Sequence, residues 1–280
     1  MGQETQTLYN QKVVITGAAR GMGALYAQKA VAQGAKYVVL WDVDAQGAHA
    51  LAVDLMTQGA KVLVVSENLA QLDSIRAGAQ QVKAFLDVPD VLINNAGIVR
   101  GSLFWEHDSE KDIELTMRIN TLAPMWLTRE FLPEMLQDTS RRKRILNVAS
   151  AAGTLANPNM SVYAASKWAM IGWSDSLRLE CQKMGHTHVS VTTFCPSYVS
   201  TGMFDGAKGP LLTPILNPTQ AVERAWRGML QGNAMVYTPW TVKLAMACRG
   251  VLPLCVWDWV AEKVFGVYAS MDEFNGKPTV

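Results

Sequence analysis

Short runs of β-branched and aliphatic residues alternate along this chain with longer segments of helical period, and no other feature constrains the fold as strongly. Strands are predicted at residues 12–16, 37–41, 61–65, 91–94, 144–148 and 189–194. Helices are predicted at residues 22–33, 45–58, 72–85, 113–136 and 162–184. A repeated strand–helix order places the strands side by side and parallel, with helices on both faces. The sequence therefore predicts an α/β fold with a doubly wound parallel sheet.

The chain has no linker rich in Pro, Gly or Ser between these units, which predicts a single domain over residues 1–280. Within it, residues 12–203 would form the sheet core and carry the main motifs. The alternation weakens beyond Pro196. We therefore expect residues 204–280 to add a substrate loop and a C-terminal helical extension, with one late strand at 235–238.

The charge balance argues against nucleic acid as a partner. The chain has 25 Lys and Arg against 24 Asp and Glu, a net charge of +1, so no general field attracts DNA, RNA or an anionic membrane. Charged residues make up 18% of the chain, below the roughly 25% of an average domain. Together with nine Trp and 14 Met, this shortage indicates that some apolar surface contacts an oily ligand, another subunit or a membrane.

Cysteine usage and the N-terminus indicate a cytoplasmic location. The four cysteines form no CxxC pair and no His stands at metal-ligand spacing, so neither a disulfide nor a metal site is expected. Residues 1–11 are polar and do not resemble a secretory signal. The best candidate for a membrane span, residues 244–256, is interrupted by Arg249, Gly250 and Pro253, so no spanning helix is predicted.

Arg141, Arg142, Lys143 and Arg144 form a run of like charges. Such runs are usually solvated, so we interpret this one as an exposed loop before a strand rather than as an anion site.

A glycine-rich turn joins the first predicted strand to the first predicted helix. Gly17, Gly21 and Gly23 let the backbone approach a pyrophosphate, whose charge is met by free N–H groups and by the helix dipole. Asp42, at the end of the second strand, would accept hydrogen bonds from both ribose hydroxyls and repel a 2′-phosphate. These features predict a site for NAD.

Two residues leave the cofactor open. Arg20, inside the glycine-rich turn, would pair with a 2′-phosphate and favour NADP. Asp44 is an alternative to Asp42 as the acid that meets the ribose, in which case Asp42 would be a strand-end cap.

Tyr163 and Lys167 are four residues apart at the start of a predicted helix, so their side chains share one face. An ammonium beside a phenol favours the phenolate and lowers its pKa from about 10 toward neutral pH. Tyr163 would then be a usable general base. Ser150 ends a predicted strand at the carboxyl edge of the sheet, where open α/β sheets bind ligands.

In their order and spacing, these motifs resemble those of the short-chain dehydrogenase/reductase family over about residues 12–203. The resemblance rests on the TGxxxGxG turn at residues 16–23 and on a series of later motifs: Asn94-Asn95-Ala96-Gly97, Asn120, Ser150, Tyr163-Ala164-Ala165-Ser166-Lys167, Pro196 and Thr201. It implies a Rossmann-like fold and hydride transfer between a nicotinamide cofactor and an alcohol or ketone.

The resemblance also implies a role for each member of the tetrad Asn120, Ser150, Tyr163 and Lys167. Tyr163 would be the acid/base, and Ser150 would hold the substrate oxygen. Lys167 would grip the nicotinamide ribose, and Asn120 would anchor a water that relays the proton. The cofactor contacts implied are Gly17, Arg20, Gly21, Met22, Gly23, Asp42, Asn68, Leu69, Asn95, Ala96, Gly97, Tyr163, Lys167, Pro196, Val199 and Thr201. The alternative is a non-catalytic nucleotide sensor, against which the intact tetrad argues.

Two positions depart from the family pattern. Ser197 follows Pro196 where the family usually has Gly, which would narrow the nicotinamide pocket or reshape a turn. Asn68 stands where an acid often contacts adenine, and it can form hydrogen bonds but carries no charge.

Substrate specificity is predicted to lie in residues 103–108, 151–159 and 197–216. These segments are rich in Leu, Phe, Trp and Met and have few cations, which favours a hydrophobic alcohol or ketone. Alternatively, Leu103, Phe104 and Trp105 pack against a neighbouring subunit.

The C-terminal part adds a looser resemblance to the branch that contains retinol and 17-beta-hydroxysteroid dehydrogenases, carried by Trp41-Asp42, residues 201–204, Thr238-Pro239 and residues 244–267. It implies retinoid, steroid or long-chain substrates. The tail carries Trp240, Trp257, Trp259 and Phe265 among basic residues, but also the acids Asp258 and Glu262, so we expect a helical lid or a dimer contact. The alternative is a set of amphipathic helices that lie on a bilayer.

The expectation is therefore an NAD-dependent oxidoreductase that acts on a hydrophobic alcohol or its ketone. An NADP-linked carbonyl or 3-ketoacyl reductase is the main alternative. The family resemblance implies a homodimer or homotetramer joined through the helices predicted at 113–136 and 162–184.

Overall fold

The computed structural model describes residues 8–211 and 213–274, so predictions for residues 1–7, Leu212 and residues 275–280 lie outside it. Its centre is a seven-stranded parallel sheet with the order β3-β2-β1-β4-β5-β6-β7. The strands are β1 Lys12–Thr16, β2 Tyr37–Trp41, β3 Lys61–Val65, β4 Val91–Asn94, β5 Lys143–Val148, β6 Val189–Pro196 and β7 Met235–Thr238. The predicted Rossmann-like doubly wound sheet in a single domain is confirmed.

Helices cover both faces of the sheet. They are α1 Gly21–Ala32, α2 Ala45–Thr57, α3 Leu72–Leu86, α4 Leu115–Met117, α5 Ala123–Gln137, α6 Ser161–Lys183, α7 Pro218–Gln231, α8 Trp240–Val251 and α9 Leu254–Trp259. The predicted bounds of α1, α2, α3 and α6 are correct to within one or two residues.

The helix predicted at residues 113–136 begins earlier and is irregular. A π-helical turn at Ser109–Glu114 precedes α4, and a second one at Arg118–Leu122 leads into α5. Asp108 caps the start, because its carboxylate accepts a hydrogen bond from the Lys111 N–H at 2.7 Å. The predicted start is too late because residues 109–112 are all polar and give no apolar period.

Two apolar clusters, one on each face of the sheet, hold the helices against it. Val13 and Ile15 of β1 pack into the cluster that contains Trp226 of α7. Val14, which points the other way, packs into the cluster that contains Phe131 of α5. A parallel strand that is buried on both faces consists of a continuous run of apolar residues. This is why the central strands could be predicted from the sequence.

The chain beyond β6 completes the sheet before it forms the helical extension. Asn217 caps the start of helix α7, where its side chain accepts a hydrogen bond from the Thr219 N–H at 2.9 Å, and Gly232, with φ 70°, caps its end. The helix leads to β7, which pairs in parallel with β6, so the late strand predicted at 235–238 is confirmed. Helices α8 and α9 and a π-helical turn at Val260–Val264 follow.

The run of like charges at residues 141–144 is only half exposed, which corrects the interpretation as a solvated loop. Arg141 and Arg142 are exposed, whereas Lys143 and Arg144 are buried at the start of β5. Lys143 Nζ pairs with Asp90 at 2.8 Å and with Asp138. Because β5 lies inside the sheet, its first residues are buried although they are charged. The carboxylates of Asp90 and Asp138 compensate the charge of Lys143.

Over residues 8–211 and 213–274, no helix is both long and apolar enough to cross a bilayer. The same residues contain no cluster of three or more His, Cys, Asp or Glu side chains arranged as metal ligands. The four cysteines are free thiols, and Cys181 and Cys195 are buried.

Candidate active site

A cleft of about 1830 Å³ opens where β1, β4, β5 and β6 end, and it is lined by the residues that follow each of these strands. Strands β1 and β4 are neighbours in the sheet, although β2 and β3 come between them in the sequence. The strand order reverses at this point, so the flanking connections run to opposite sides and leave a crevice.

The glycine-rich turn has the shape that a dinucleotide site requires. Gly17 and Gly21 have φ values of +63° and +56°, which residues with a Cβ atom rarely adopt. A Cβ on Gly23 would lie 1.9 Å from the Gly17 carbonyl oxygen. Among the described residues no side chain caps α1, and no acid stands in its first turn, so its first N–H groups are available to an anion. These residues fit a pyrophosphate group.

Asp42 lies beside this turn, and its two oxygens are held by the backbone. Oδ2 accepts a hydrogen bond from the Ala19 N–H at 2.9 Å, and Oδ1 accepts one from the Asp44 N–H at 3.0 Å. Each oxygen keeps a further lone pair for a ligand. Asp44 caps α2 by accepting a hydrogen bond from the Gly47 N–H at 2.9 Å. Of the two acids, Asp42 is therefore the one that lines the cleft.

Asn95 ties the end of β4 to the glycine-rich turn. Its Nδ2 donates to the carbonyl oxygens of Thr16 and Gly17 at 3.0 and 3.2 Å. In return, Thr16 Oγ1 accepts hydrogen bonds from the N–H groups of Asn95 and Ala96, both at 3.0 Å. The amide donors of Asn95 are thus used within the protein, and this side chain positions the turn.

A chain of buried polar side chains crosses the sheet beneath the cleft. Asn94 Nδ2 donates to Asn147 Oδ1 at 2.8 Å, and Asn147 Nδ2 donates to Ser174 Oγ at 2.9 Å. Ser174 Oγ lies 2.6 Å from Thr193 Oγ1. This chain links β4, β5, α6 and β6. Sequence reasoning missed Asn147 and Ser174, although the polar Asn147 beside the apolar residues of β5 was a signal that could have found the first of them.

Asn120 is fully buried in the second π-helical turn. Its Oδ1 accepts a hydrogen bond from the Ile98 N–H at 2.8 Å, and its Nδ2 donates to the Ile98 carbonyl at 2.9 Å and to Ser166 Oγ at 3.0 Å. The π-turn aims the side chain inward, as such turns often do at functional sites. Asn120 therefore connects the loop after β4 to α6.

Ser150 and Tyr163 meet at the floor of the cleft. Ser150 Oγ accepts a hydrogen bond from the Ala152 N–H at 3.1 Å, and the Ser150 side chain acts to lower the pKa of Tyr163. Burial raises the pKa of Tyr163 above its ordinary value of 10, and the effect of Ser150 offsets only part of this rise. Tyr163 is therefore a protonated phenol at neutral pH.

Lys167 lies beside Tyr163 but donates elsewhere. Its Nζ is 5.7 Å from the centroid of the Tyr163 ring and donates to the Val148 carbonyl at 2.9 Å. Burial lowers the pKa of Lys167 from 10.5 to about 8. The sequence-based expectation that Lys167 lowers the pKa of Tyr163 is thus wrong for this structure. Desolvation of the phenol outweighs the attraction of an ammonium that is turned toward a backbone carbonyl.

The structure brings nearly all of the predicted residues to this cleft. Among the predicted cofactor contacts, Gly23 alone is absent from its lining and lies under the turn, while Asn120 lies behind the Gly97 wall. Asn68 lines the cleft and accepts a hydrogen bond from the Ala70 N–H at 2.9 Å. Lining residues that the sequence reasoning missed include Trp41, Ile98, Arg100, Leu115, Ile119 and Val148. They lie on several different elements, so no local motif marks them.

The end of β6 forms the opposite wall of the cleft, with Pro196, Val199 and Thr201 along it. A Cβ on Gly21 would lie 3.5 Å from the Thr201 side chain, so Thr201 faces the glycine-rich turn. The Ser197 N–H donates to the Thr238 carbonyl at 2.8 Å and prolongs the pairing with β7. Ser197 has no positive φ, so the turn does not require the glycine that the family usually has.

A second pocket, of about 1030 Å³, adjoins the cleft and shares Ser150, Ser197 and Phe204 with it. Its other walls come from residues 151–160, residues 198–213 and the helical extension. Trp257 of α9 and Phe265 line it from the extension. None of its described lining residues carries a formal charge at neutral pH. The extension thus forms a lid over an apolar pocket.

One of the three predicted specificity segments does not belong to this pocket. Residues 103–108 line neither the cleft nor the second pocket among the described residues. Leu103, Phe104 and Trp105 are exposed. The apolar composition of this segment is typical of a pocket wall, which led to the prediction. In the fold, however, these side chains face outward, away from both cavities.

Sequence comparison identifies related proteins over most of the chain. A family model described as short chain dehydrogenase matches residues 11–209. Human estradiol 17-beta-dehydrogenase 11 is 34% identical over 242 residues, covering 86% of this chain and 79% of that protein. Mouse epidermal retinol dehydrogenase 2 is 31% identical over 270 residues, covering 95% of this chain and 85% of that protein.

Comparison with solved structures also finds short-chain dehydrogenases and oxidoreductases. A short-chain dehydrogenase/reductase from Burkholderia phymatum in complex with NAD superposes with a TM-score of 0.78 and 25% identity, covering 87% of this chain and 94% of that one. A metagenomic short-chain oxidoreductase in complex with NADP superposes with a TM-score of 0.68 and 28% identity, covering 82% of this chain and 95% of that one. Structures of this fold thus hold either dinucleotide.

Proposed function

The chain belongs to the short-chain dehydrogenase family and is an NAD(P)-dependent oxidoreductase, and from this premise we propose that it interconverts a hydrophobic secondary alcohol and its ketone with NAD as the cofactor. One observation carries the substrate class. The apolar pocket of about 1030 Å³ opens into the dinucleotide cleft at Ser150 and presents no charged side chain to a ligand among its described lining residues. Such a pocket favours steroid-, retinoid- or long-chain-like molecules.

A nicotinamide cofactor supplies or accepts the hydride when it is bound. The protein's own contribution begins with Ser150, whose hydroxyl holds the substrate oxygen next to Tyr163. In the reducing direction Tyr163, which burial keeps protonated, donates its proton to the oxygen that gains negative charge. In the oxidising direction Tyr163 must first lose that proton and then accept one from the alcohol.

We propose that the proton leaves Tyr163 by way of the gap beside Gly97. A Cβ on Gly97 would lie 3.2 Å from Asn120 Oδ1 and 3.5 Å from Lys167 Nζ, so the missing side chain leaves space between these two atoms. A water in that space would accept from Nζ and donate to the second lone pair of Oδ1. In this proposal Asn120 and Lys167 hold the relay, and Lys167 also binds the nicotinamide ribose.

The preference for NAD is proposed on the position of Asp42. Its carboxylate stands at the glycine-rich turn with a free lone pair on each oxygen, where it would accept hydrogen bonds from ribose hydroxyls and repel a 2′-phosphate. The alternative, an NADP-linked carbonyl or ketoacyl reductase, rests on Arg20, which is exposed at the same cleft wall.

The extension also supports a proposed peripheral contact with a lipid surface. Its exposed large apolar side chains are Trp240, Leu244, Val251, Leu254, Val256, Trp259 and Val264. Leu211 and Leu244 are exposed and also line the second pocket, so the pocket mouth lies at this apolar surface. Because exposed large apolar side chains are a feature of surfaces that contact lipid, we propose a cytoplasmic protein that touches membranes through α8 and α9.

Assembly into a homodimer or homotetramer through α5 and α6 is proposed on the family membership. Trp168 and Leu179 on α6 are large apolar side chains left exposed in the single chain. Arg249 of α8 lies 5.2 Å from the Trp168 ring, so the extension reaches the edge of this surface.

The proposed function is tested by NADH formation with purified protein across secondary alcohols, sterols, retinol and long-chain alcohols, with NADP in parallel. Turnover of the bulky apolar alcohols with NAD is the expected result. Turnover confined to NADP would overturn the cofactor assignment, and turnover confined to small polar alcohols would overturn the substrate class. Loss of all turnover in Tyr163→Phe is expected, and activity that survives it would contradict the assigned chemistry.

A further inference from the structure

The ends of β2 and β3 form one wall of the dinucleotide cleft. Asp42 follows β2, and its N–H donates to the Val65 carbonyl at the end of β3 at 3.0 Å. Asn68 and Leu69 come after β3 and line the cleft together with Asp42. Ser150 follows β5, which is three strands away from β2 in the sheet. A dinucleotide with its nicotinamide end at Ser150 therefore has its adenosine end at this wall.

The loop after β3 is held in place by Trp41, the last residue of β2. The Trp41 Nε1–H donates to the Glu67 carbonyl at 2.8 Å. The Trp41 ring fills the space that a Cβ on Gly78 of α3 would occupy. A glycine inside a helix is less stable than an alanine, and here it makes room for the ring. The backbone next to Asn68 is thus fixed before any ligand binds.

Asn68 presents the nitrogen of its amide group, rather than only the oxygen, to the cleft. Its Oδ1 accepts a hydrogen bond from the Ala70 N–H at 2.9 Å. Because a backbone N–H needs an acceptor, this bond identifies which amide atom is the oxygen. Nδ2 donates to no atom of residues 8–211 and 213–274, and the side chain is exposed in the cleft. Asn68 thus offers two N–H donors and one remaining lone pair on Oδ1.

No second carboxylate faces the adenosine end from the described part of the chain. Asp42 is the only acid among the described lining residues of the cleft, and its free lone pairs are assigned to the ribose hydroxyls. Glu67 stands next to Asn68 but does not line the cleft, and its carboxylate accepts a hydrogen bond from Gln81 Nε2 at 3.3 Å. The side chain that meets the base beyond the ribose is therefore a neutral amide.

An amide and a carboxylate recognise different purines. Adenine carries an amine at position 6, which donates, whereas a 6-oxopurine carries the acceptor O6 there. Position 6 belongs to the ring farthest from the sugar, so a base whose ribose is at Asp42 extends toward Asn68. A carboxylate only accepts, so it would select the amine and repel O6. The Asn68 amide donates to O6 through Nδ2 or accepts from the amine through Oδ1.

We propose that Asn68 is a specificity-determining residue for the base of the cofactor, and that it lets this chain bind dinucleotides of hypoxanthine, a 6-oxopurine, as well as those of adenine. The inference rests on the proposed orientation of the cofactor, with its adenosine ribose at Asp42. It concerns the half of the cofactor that is remote from the hydride.

The test compares the binding of adenosine diphosphate (ADP) and inosine diphosphate (IDP), which differ in the base alone. Calorimetric titration gives the ratio of the Kd for IDP to the Kd for ADP. In wild type we expect this ratio to be within about threefold of one, because the amide can pair with either base. Asn68→Asp should raise the ratio at least about tenfold, within the range of one hydrogen bond to a charged group.

The aspartate variant is a conservative change. Its carboxylate can still accept from the Ala70 N–H, so the loop keeps its shape. Repulsion between the new charge and the diphosphate acts equally on both ligands and cancels in the ratio. Asn233→Asp is the matched control, because Asn233 is exposed just before β7, at the opposite edge of the sheet, and should keep the wild-type ratio.

Two results would overturn the proposal. One is a wild-type preference for ADP larger than the expected range. The other is a ratio in Asn68→Asp that equals that of wild type, since a defect of folding or of charge weakens ADP and IDP alike and leaves the ratio unchanged.

Failure of the proposed function is distinguishable from failure of this inference. The titrations need neither substrate nor turnover, so similar binding of ADP and IDP, with a raised ratio in Asn68→Asp, supports the role of Asn68 even if no alcohol is oxidised. If neither nucleotide binds wild type, the adenosine end does not lie at this wall and the inference falls. With an active alcohol, kcat/KM for NAD and for nicotinamide hypoxanthine dinucleotide should show the same ratio.

Discussion

Lys167 Nζ lies 5.7 Å from the centroid of the Tyr163 ring and is not hydrogen-bonded to its hydroxyl. The ammonium donates instead to the Val148 carbonyl at 2.9 Å. Both side chains are buried, and burial acts on them in opposite directions. It raises the pKa of the phenol and lowers that of the amine, because in each case the neutral form is favoured. The pair is thus set for proton donation by Tyr163 at neutral pH.

This arrangement predicts a difference in pH dependence between the two directions of the reaction. Ketone reduction uses protonated Tyr163 and is expected to be nearly independent of pH from 6 to 8. Alcohol oxidation needs the phenolate, so kcat should rise with pH, approaching tenfold per unit while the chemical step limits the rate. Steady-state rates in both directions from pH 6 to 10 test this, and an oxidation rate that stays constant across the range would refute it.

Lys167→Met is expected to abolish turnover and yet to stabilise the fold at neutral pH. The pKa of Lys167 is about 8 in the folded protein and 10.5 in the unfolded chain. Between these two pH values the unfolded chain therefore binds more protons than the folded protein. Wild-type stability therefore rises with pH across this window, and below pH 8 it carries the full cost, on the order of 3 kcal/mol, of burying the ammonium.

The methionine variant lacks that cost. Its advantage in the free energy of unfolding should be greatest at pH 7 and should vanish by about pH 10.5, where Lys167 is neutral in both states. Urea denaturation of both proteins at pH 7, 9 and 10.5 measures the difference. An advantage for the variant that does not change with pH would contradict the assigned cause.

Asp42→Ala is expected to shift the cofactor preference. Removing the carboxylate removes acceptors for the ribose hydroxyls and the repulsion of a 2′-phosphate, so the ratio of kcat/KM with NAD to that with NADP should fall at least tenfold. Arg20→Ala is the complementary variant and should raise the same ratio. If neither variant changes this ratio, the choice between NAD and NADP is not determined by residues at this end of the cleft.

Gly97→Ala is expected to slow proton transfer. The added Cβ would enter the space between Asn120 Oδ1 and Lys167 Nζ and exclude a water there, so kcat should fall about tenfold, within the range of lost acid–base assistance. Gly172→Ala on α6 is the control, because its Cβ would meet no atom of the described residues within 4 Å and should leave kcat unchanged. A normal kcat in Gly97→Ala, with normal cofactor affinity, would exclude the relay.

The exposed apolar surface of the extension should bind lipid vesicles. Trp240 and Trp259 are 68% and 60% exposed, and replacing both by Ser should reduce sedimentation with phosphatidylcholine vesicles severalfold. Val53→Ser on α2, also exposed, is the control that should leave sedimentation unchanged. Wild-type protein that stays in the supernatant would rule out the proposed membrane contact.

Most of the fold was predictable because its signals are local. Central parallel strands are apolar on both faces, so β1 and β4 stand out as short apolar runs. The glycine-rich turn and the spacing of Tyr163 and Lys167 are equally local. The start of the helix at Ser109 was missed because its first turn is polar and is specified by the Asp108 cap.

The amino-acid sequence by itself determined the order of strands and helices and the glycine-rich turn, because each depends on residues close together in the chain. Tertiary structure alone decided the sign of the pKa shifts at Tyr163 and Lys167, the burial of Lys143 and the closure of the pocket by α8 and α9. Burial and hydrogen-bond partners come from segments far apart in the sequence, and desolvation is set by that packing rather than by any local pattern.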